Sequence, residues 1–277
     1  MHIDAHQHFW IYNQQEYDWI DDSMGLIRRN FLPEDLEPEL QRNDVQGSVA
    51  VQTRQTLEET RWLLELAQQS PTILGVVGWV DLCSPKARFQ LAEFSKHPKL
   101  VGVRHIVQSE PDDRFLLRED FLRGISLLEE FDLAYDILIY TKHLPAAAEF
   151  VERFPKHRFV LDHLAKPPIK TGEIEAWSLG VRRLAAFPNV WCKLSGLVTE
   201  AHWQRWTSED IRPYLDAAFE AFGADRLMIG SDWPVCLVAG SYGRTVDVVK
   251  SYVQDMPAHA RDAVLGENAR RFWRLKT

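Results

Sequence analysis

Five side chains suited to proton transfer or metal ligation fall at the ends of short β-rich runs: His6, His8, Arg104, His163 and Asp232. The first run reads His2-Ile-Asp-Ala-His-Gln-His8. Side chains alternate across a strand, so Asp4, His6 and His8 are expected on one face and Ile3 and Ala5 on the other. Two imidazoles two residues apart at a strand end can reach one ion at ~2.0–2.1 Å, and otherwise each needs a hydrogen-bond partner. A later apolar run, Arg226 to Ile229, ends in Gly-Ser-Asp232-Trp-Pro. This places a carboxylate at a strand end, where it serves either as a base or ligand or as the N-cap of a following turn. His163 and Arg104 close two further runs. His163 reads as a third site imidazole or a satisfied core histidine. Arg104 reads as a fork for a carbonyl or carboxylate, or as half of an ion pair. Asp136, at the end of another run, is expected to bind substrate or to neutralise Arg104.

The elements that must hold these groups follow an alternation. Eight β-rich runs, His2–His6, Gly47–Thr53, Ile73–Val80, Leu100–His105, Leu133–Ile139, Arg158–His163, Val190–Leu194 and Leu227–Ser231, are mostly separated by stretches of helical period. Thr56-Leu-Glu-Glu59 has the form of a capping box. Ile211, Leu215, Ala218 and Phe222 lie on one helix face. One unit per about 35 residues fits a distorted (β/α)8 TIM-type barrel over residues 1–277, with an open doubly wound sheet as the alternative. The connection from Phe9 to Gln46 is long by ordinary loop statistics and carries Trp10, Tyr12, Tyr17, Trp19 and Phe31. It reads as a lid whose aromatic faces stack on a ring, as a plug for one end of the barrel, or as both.

Composition removes other chemistries. Lys and Arg total 32 against 40 Asp and Glu, a net charge of −8, with no basic stripe to follow a phosphate backbone. No apolar run approaches the ~20 residues of a membrane span, and no signal segment precedes His2. Cys83, Cys192 and Cys236 form no C-x-x-C pair, so a reduced, cytoplasmic protein is expected. There is no Gly-x-Ser-x-Gly elbow and no phosphate loop.

Five segments, Ile3-Asp-Ala-His-Gln-His-Phe-Trp10, Gly75-Val-Val-Gly-Trp-Val-Asp-Leu82, Gly102-Val-Arg-His105, Leu161-Asp-His-Leu-Ala-Lys-Pro167 and Gly230-Ser-Asp-Trp-Pro234, resemble the amidohydrolase superfamily in its branch of sugar-acid lactonases. The resemblance implies hydrolysis of a sugar-acid 1,4-lactone. Asp232 is then general base for water, and Arg104 with His163, or a metal, polarises the carbonyl. His6, His8 and Asp232 match the ligand positions for at most one divalent ion, zinc by ligand type, with a metal-free route as the alternative. The superfamily's bridging lysine is not found on the fourth run, and its fifth-run histidine is absent, which argues against two metals. Substrate contacts are expected from Trp10, Trp19, Arg54, Trp79, His105, Asp136 and Trp233. The partner is expected to be a small sugar lactone; nucleic acid and membrane are not, and homo-oligomerisation is left open. Two other readings stand beside this one. A lactonase of aromatic catabolism would bind a pyrone-dicarboxylate or muconolactone through Arg28, Arg29, Arg54 and Arg104. A non-catalytic barrel would only bind sugar.

Overall fold

The computed structural model describes residues 1–276. Eight parallel strands follow one another around a single sheet: β1 (Ile3–Gln7), β2 (Gly47–Val51), β3 (Ile73–Gly78), β4 (Leu100–His105), β5 (Ala134–Ile137), β6 (Phe159–Leu161), β7 (Val190–Leu194) and β8 (Leu227–Ile229). The ring closes through main-chain bonds past the end of β8: Asp232 N–H donates to the His6 carbonyl at 2.8 Å and His8 N–H to that of Trp233 at 2.7 Å. Seven helices fill the crossovers, α1 (Pro33–Arg42), α2 (Leu57–Gln69), α3 (Ala87–Phe94), α4 (Glu119–Ser126), α5 (Leu144–Glu152), α6 (Glu175–Ala185) and α7 (Ser208–Phe222), and α8 (Tyr242–Val253) follows β8. The expected (β/α)8 barrel is present, and its active-site end is the face where the strands terminate.

Local signals decide several of these elements. Thr56 accepts from Glu59 N–H at 3.1 Å and starts α2. The Glu59 carboxylate departs from the capping-box expectation. It turns to Thr53 and Arg54, taking both backbone N–H groups at 2.8 and 2.6 Å, and so ties the end of β2 to α2. In α7, Asp210 reaches back to Thr207 N–H at 2.8 Å.

The apolar material lies in two layers. One fills the space between sheet and helices. The other fills the lower barrel, where Ile3, Ala5, Val49, Val51, Val77, Val160 and Met228 meet Phe272, Trp273 and Leu275 from the C-terminal helical segment. Ile3 and Ala5 therefore face inward, opposite to the sequence expectation. The reason is a bulge in β1: pairing with β2 advances three residues from Asp4 to Gln7 while β2 advances two, from Ser48 to Ala50. A bulge reverses side-chain phase within a strand. Asp4 points to the helix side, where it accepts from the Tyr242 hydroxyl at 3.2 Å and the Ser231 hydroxyl at 2.6 Å. His6 and His8 point into the barrel above Ala5.

The segment between β1 and β2 is shorter as a loop than expected, because it contains a 3-10 turn (Asp22–Ile27) and α1. Trp10 and Phe31 exchange backbone hydrogen bonds of 3.0 and 2.9 Å and pack edge to face. This clasp folds the segment's aromatic residues onto the barrel rim. No helix among the described residues is long and apolar enough to cross a membrane.

Candidate active site

The main-chain closure of the ring brings Asp232 against the two β1 histidines. Asp232 Oδ1 lies 3.3 Å from His8 Nε2, 3.8 Å from His6 Nε2 and 3.9 Å from His163 Nε2. Asp232 sits at φ 57°, a left-handed conformation that turns its side chain inward, and it caps no helix. Four groups from three distant parts of the chain therefore meet at one point, and their side chains are almost wholly enclosed.

Each imidazole is oriented by a partner on its far side. His8 Nδ1 faces the Val51 carbonyl at 2.7 Å. A carbonyl only accepts, so Nδ1 carries the hydrogen and a neutral ring turns a lone pair from Nε2 toward Asp232. His163 Nδ1 meets the Ser195 hydroxyl at 2.9 Å. His6 Nδ1 stands 3.0 Å from Lys193 Nζ and 3.5 Å from Asp162 Oδ1. Its Nε2 lies 3.2 Å from His8 Nε2.

Burial works to raise the Asp232 carboxyl. In acid, where His163 is protonated, its charge and a hydrogen shared with His8 outweigh burial and hold the group well below the usual carboxylate range. Burial lowers His163 to about 4, so its ring is neutral at physiological pH. His6 is likewise lowered, by burial first and by Lys193 next.

Beneath these rings lies a buried quartet that the sequence reading missed in part. Arg104 Nη1 donates to Asp162 at 2.9 Å, while Lys193 Nζ donates to Asp136 at 2.5 Å and stands 2.9 Å from Asp162 Oδ1 as an ion pair. Lys193 and Asp162 were not among the expected site residues. Their signal was a charged residue in the middle of Val190-Trp-Cys-Lys-Leu194, and an acid next to His163. Asp136, expected to bind substrate or to neutralise Arg104, is fully enclosed and pairs with Lys193. Burial pushes its carboxyl up to about 7 against the pull of Lys193. Asp162, with two cations, is instead held well below its ordinary value although burial opposes this.

Arg104 takes the ion-pair alternative, buried and not at the surface. Nη2 donates to the Gln52 carbonyl, and Nη1 reaches His6 Nε2 at 3.3 Å besides Asp162. With its fork engaged in the wall, it is a poor candidate for grasping a carbonyl. His105 is committed as well, 2.6 Å from Glu110 and stacked on Phe115, with Trp79 Nε1 at 3.4 Å. Trp10 is enclosed and donates to the Arg29 carbonyl at 2.8 Å, and Trp233 is enclosed against Phe9 and Phe31. Both are rim packing, not free stacking faces. Trp19 is 41% exposed and remains available. Arg54 is only partly buried, bridging Glu16 at 2.7 Å and Glu59 at 3.2 Å.

His6, His8 and Asp232 have donor atoms close enough to hold one ion. Ligands at ~2.0–2.1 Å around a tetrahedral ion stand roughly 3.3 Å apart. The His6–His8 and His8–Asp232 separations of 3.2 and 3.3 Å match that spacing, the His6–Asp232 separation of 3.8 Å is wider, and the donor set of two imidazoles and a carboxylate suits zinc.

Comparison with known proteins agrees with this architecture. Two proteins named L-fucono-1,5-lactonase are each 42% identical to the chain over 99% of its length. One is from Burkholderia multivorans, 96% covered, and the other from Burkholderia ambifaria, 95% covered. A crystal structure of a Burkholderia multivorans amidohydrolase with bound zinc superposes with a TM-score of 0.97 at 41% identity, over the whole of both chains. The amidohydrolase family model matches residues 3–275. With the barrel, the paired β1 histidines and the β8 carboxylate in place, the chain is a member of the amidohydrolase family.

Proposed function

We propose that the protein hydrolyses a sugar-acid lactone, with Asp232 as the base that activates water. The observation that carries this reading is the convergence of three imidazole Nε2 atoms on one ionised carboxylate oxygen, all within 3.9 Å. Asp232 takes a proton from water as the water oxygen bonds to the lactone carbonyl carbon. The ring C–O bond then breaks, and the same proton passes to the departing ring oxygen, giving the hydroxy acid. When the Ser195 hydroxyl donates to His163 Nδ1, the His163 Nε2 hydrogen points into the space beside Asp232. There it meets the oxygen on which negative charge develops, a contact of the kind worth ~2.7–4 kcal/mol. A divalent ion held by His6, His8 and Asp232 supplies Lewis-acid polarisation and a more acidic water when bound. The His8 lone pair facing Asp232 at 3.3 Å favours a cation or a proton between the two. Arg104 keeps Asp162 and His6 in place.

The relatives named for a 1,5-lactone shift the ring expected from the sequence from five members to six. A neutral sugar lactone also fits the charge arrangement better than a dicarboxylate. Each arginine that could have gripped carboxylates is already paired: Arg28 with Asp22, Arg29 with Asp35, Arg54 with Glu16 and Arg104 with Asp162. Lactonase activity also separates this reading from a barrel that only binds sugar.

The test is turnover of freshly prepared L-fucono-1,5-lactone and its 1,4 isomer by wild type and Asp232→Asn, with and without a chelator. The 1,5 ring is expected to turn over faster. The variant should keep less than roughly a tenth of the wild-type rate with its fold intact, given that removing such a proton acceptor costs ~10²–10⁴-fold. A variant above that level removes Asp232 from the reaction. Loss of rate on chelation, restored by zinc, assigns the metal route; full activity in chelator assigns the metal-free one.

A further inference from the structure

Strand β6 ends in an uncommon way. His163, Leu164, Ala165 and Lys166 all have positive φ, at 50, 54, 58 and 53°. L-residues disfavour that region by ~1–2 kcal/mol each and visit it mostly one at a time. Such a run persists only where its surroundings hold it, and strain of this kind gathers at functional sites. Here Lys166 N–H donates to the His163 carbonyl at 2.7 Å, and the Thr141 hydroxyl reaches the Ala165 and Lys166 carbonyls at 3.3 Å each.

The turn brings Lys166 back beside His163. Its ammonium nitrogen lies 3.5 Å from Glu200 Oε1 and 5.5 Å from the centre of the Tyr140 ring. Glu200 belongs to the 3-10 turn (Val198–Glu200) after β7, and Tyr140 follows β5, so three neighbouring strand ends contribute. Both charged side chains are only partly buried, at 21% and 25% exposure, unlike the enclosed quartet below. Apart from each other, neither side chain bonds another described residue, which leaves ammonium hydrogens and carboxylate lone pairs for a further partner. Both are electrostatically coupled to the centre: Lys166 acts on His163, and Asp232 acts on Glu200.

We propose that Lys166 and Glu200 form a hydroxyl-recognising subsite that selects polyhydroxylated lactones, on the reading that this site is a lactonase. A ring hydroxyl can accept from the Lys166 ammonium while donating to the Glu200 carboxylate. A neighbouring hydroxyl can use the remaining donors and lone pairs. The two charges cancel, so the subsite favours a neutral polyol over an anion, and the exposed Tyr140 ring offers a face for sugar C–H groups.

Steady-state kinetics on L-fucono-1,5-lactone test this with wild type, Lys166→Met, Lys166→Arg and Glu200→Gln, each checked by thermal melting. Loss of a hydrogen bond to a charged group corresponds to about a tenfold to hundredfold weakening. Lys166→Met should therefore raise KM by about tenfold or more, with kcat within about threefold. Lys166→Arg should restore most of the affinity, and Glu200→Gln should raise KM in the same direction. If Lys166→Met fails to fold, Glu200→Gln carries the test alone. Wild-type turnover with KM unchanged in the folded variants, or a fall confined to kcat, overturns the subsite. No turnover by wild type overturns the lactonase reading and the subsite together.

Discussion

His163 stands at the meeting point of two requirements. It must present Nε2 to the reacting space, and it must stay neutral while enclosed. Burial lowers it from its ordinary value to about 4, so between about pH 4 and 6.5 the unfolded chain binds a proton there that the folded chain does not. More protons on the unfolded side make stability rise with pH. Acidification through that window should therefore cost wild type stability that His163→Gln keeps. Between pH 6.5 and 4.5 the difference amounts to about 2 kcal/mol. Urea unfolding of both proteins in chelator at pH 6.5 and 4.5 measures it. A pH-independent difference would mean the imidazole is charged in the fold. At this scale the sequence was informative where a side chain's type already limits what it can do, as with His6, His8, His163 and Asp232. It misled where a partner decides: nothing local to Asp136 says that Lys193, 57 residues on, consumes its carboxylate.

Elements supply the approach distances. His163 can sit against the end of β7 only because residue 196 lacks a Cβ. Gly196 has φ +65°, and a Cβ added there would meet His163 Nδ1 at 2.7 Å. Gly196→Ala should displace the ring from Ser195 and Asp232. A shift of about 1 Å can cost on the order of 10²-fold in rate. That loss of kcat should exceed what its drop in melting temperature explains; unaltered kcat would show that the ring tolerates the intrusion. Element identity was largely legible, because a buried parallel strand and an amphipathic helix have different hydrophobic periods. The β1 bulge was not, since alternation presumes that every residue advances the pairing by one. Nor was the left-handed run at 163–166, where no glycine marks the positive φ. The aromatic residues after β1 divided between the two roles their sequence allowed. Trp10 and Phe31 pack the rim, and Trp19 keeps an open face.

At the scale of the molecule, the quartet Arg104, Asp136, Asp162 and Lys193 draws one residue from just within or beyond each of β4, β5, β6 and β7 into the barrel axis. With Asp136 ionised the set is electrically neutral, two cations against two carboxylates, below a site that also carries Asp232. Removing one member of a buried pair leaves its partner uncompensated, at ~3–5 kcal/mol. Lys193→Met should lose stability of that order in equilibrium unfolding, and less if Asp136 takes up a proton. Adding Asp136→Asn to it should recover part of the loss; no recovery would show that packing, not charge, holds this level together. The barrel itself was readable from eight regularly spaced runs, because strand count and spacing are properties of the whole chain. Which charges meet across its axis is set by strand tilt and register, which a linear pattern does not encode. The extra residue in β1 has a further consequence for how substitutions distribute. Below it, odd positions line the interior and even ones lean on helices; above it, the parity reverses. A tolerance map of this strand should thus change phase between Ala5 and His6, accepting small apolar replacements at 5 and rejecting them at 6. In related chains, a one-residue gap aligned at that point would mark a loss of the machinery, not a harmless shortening.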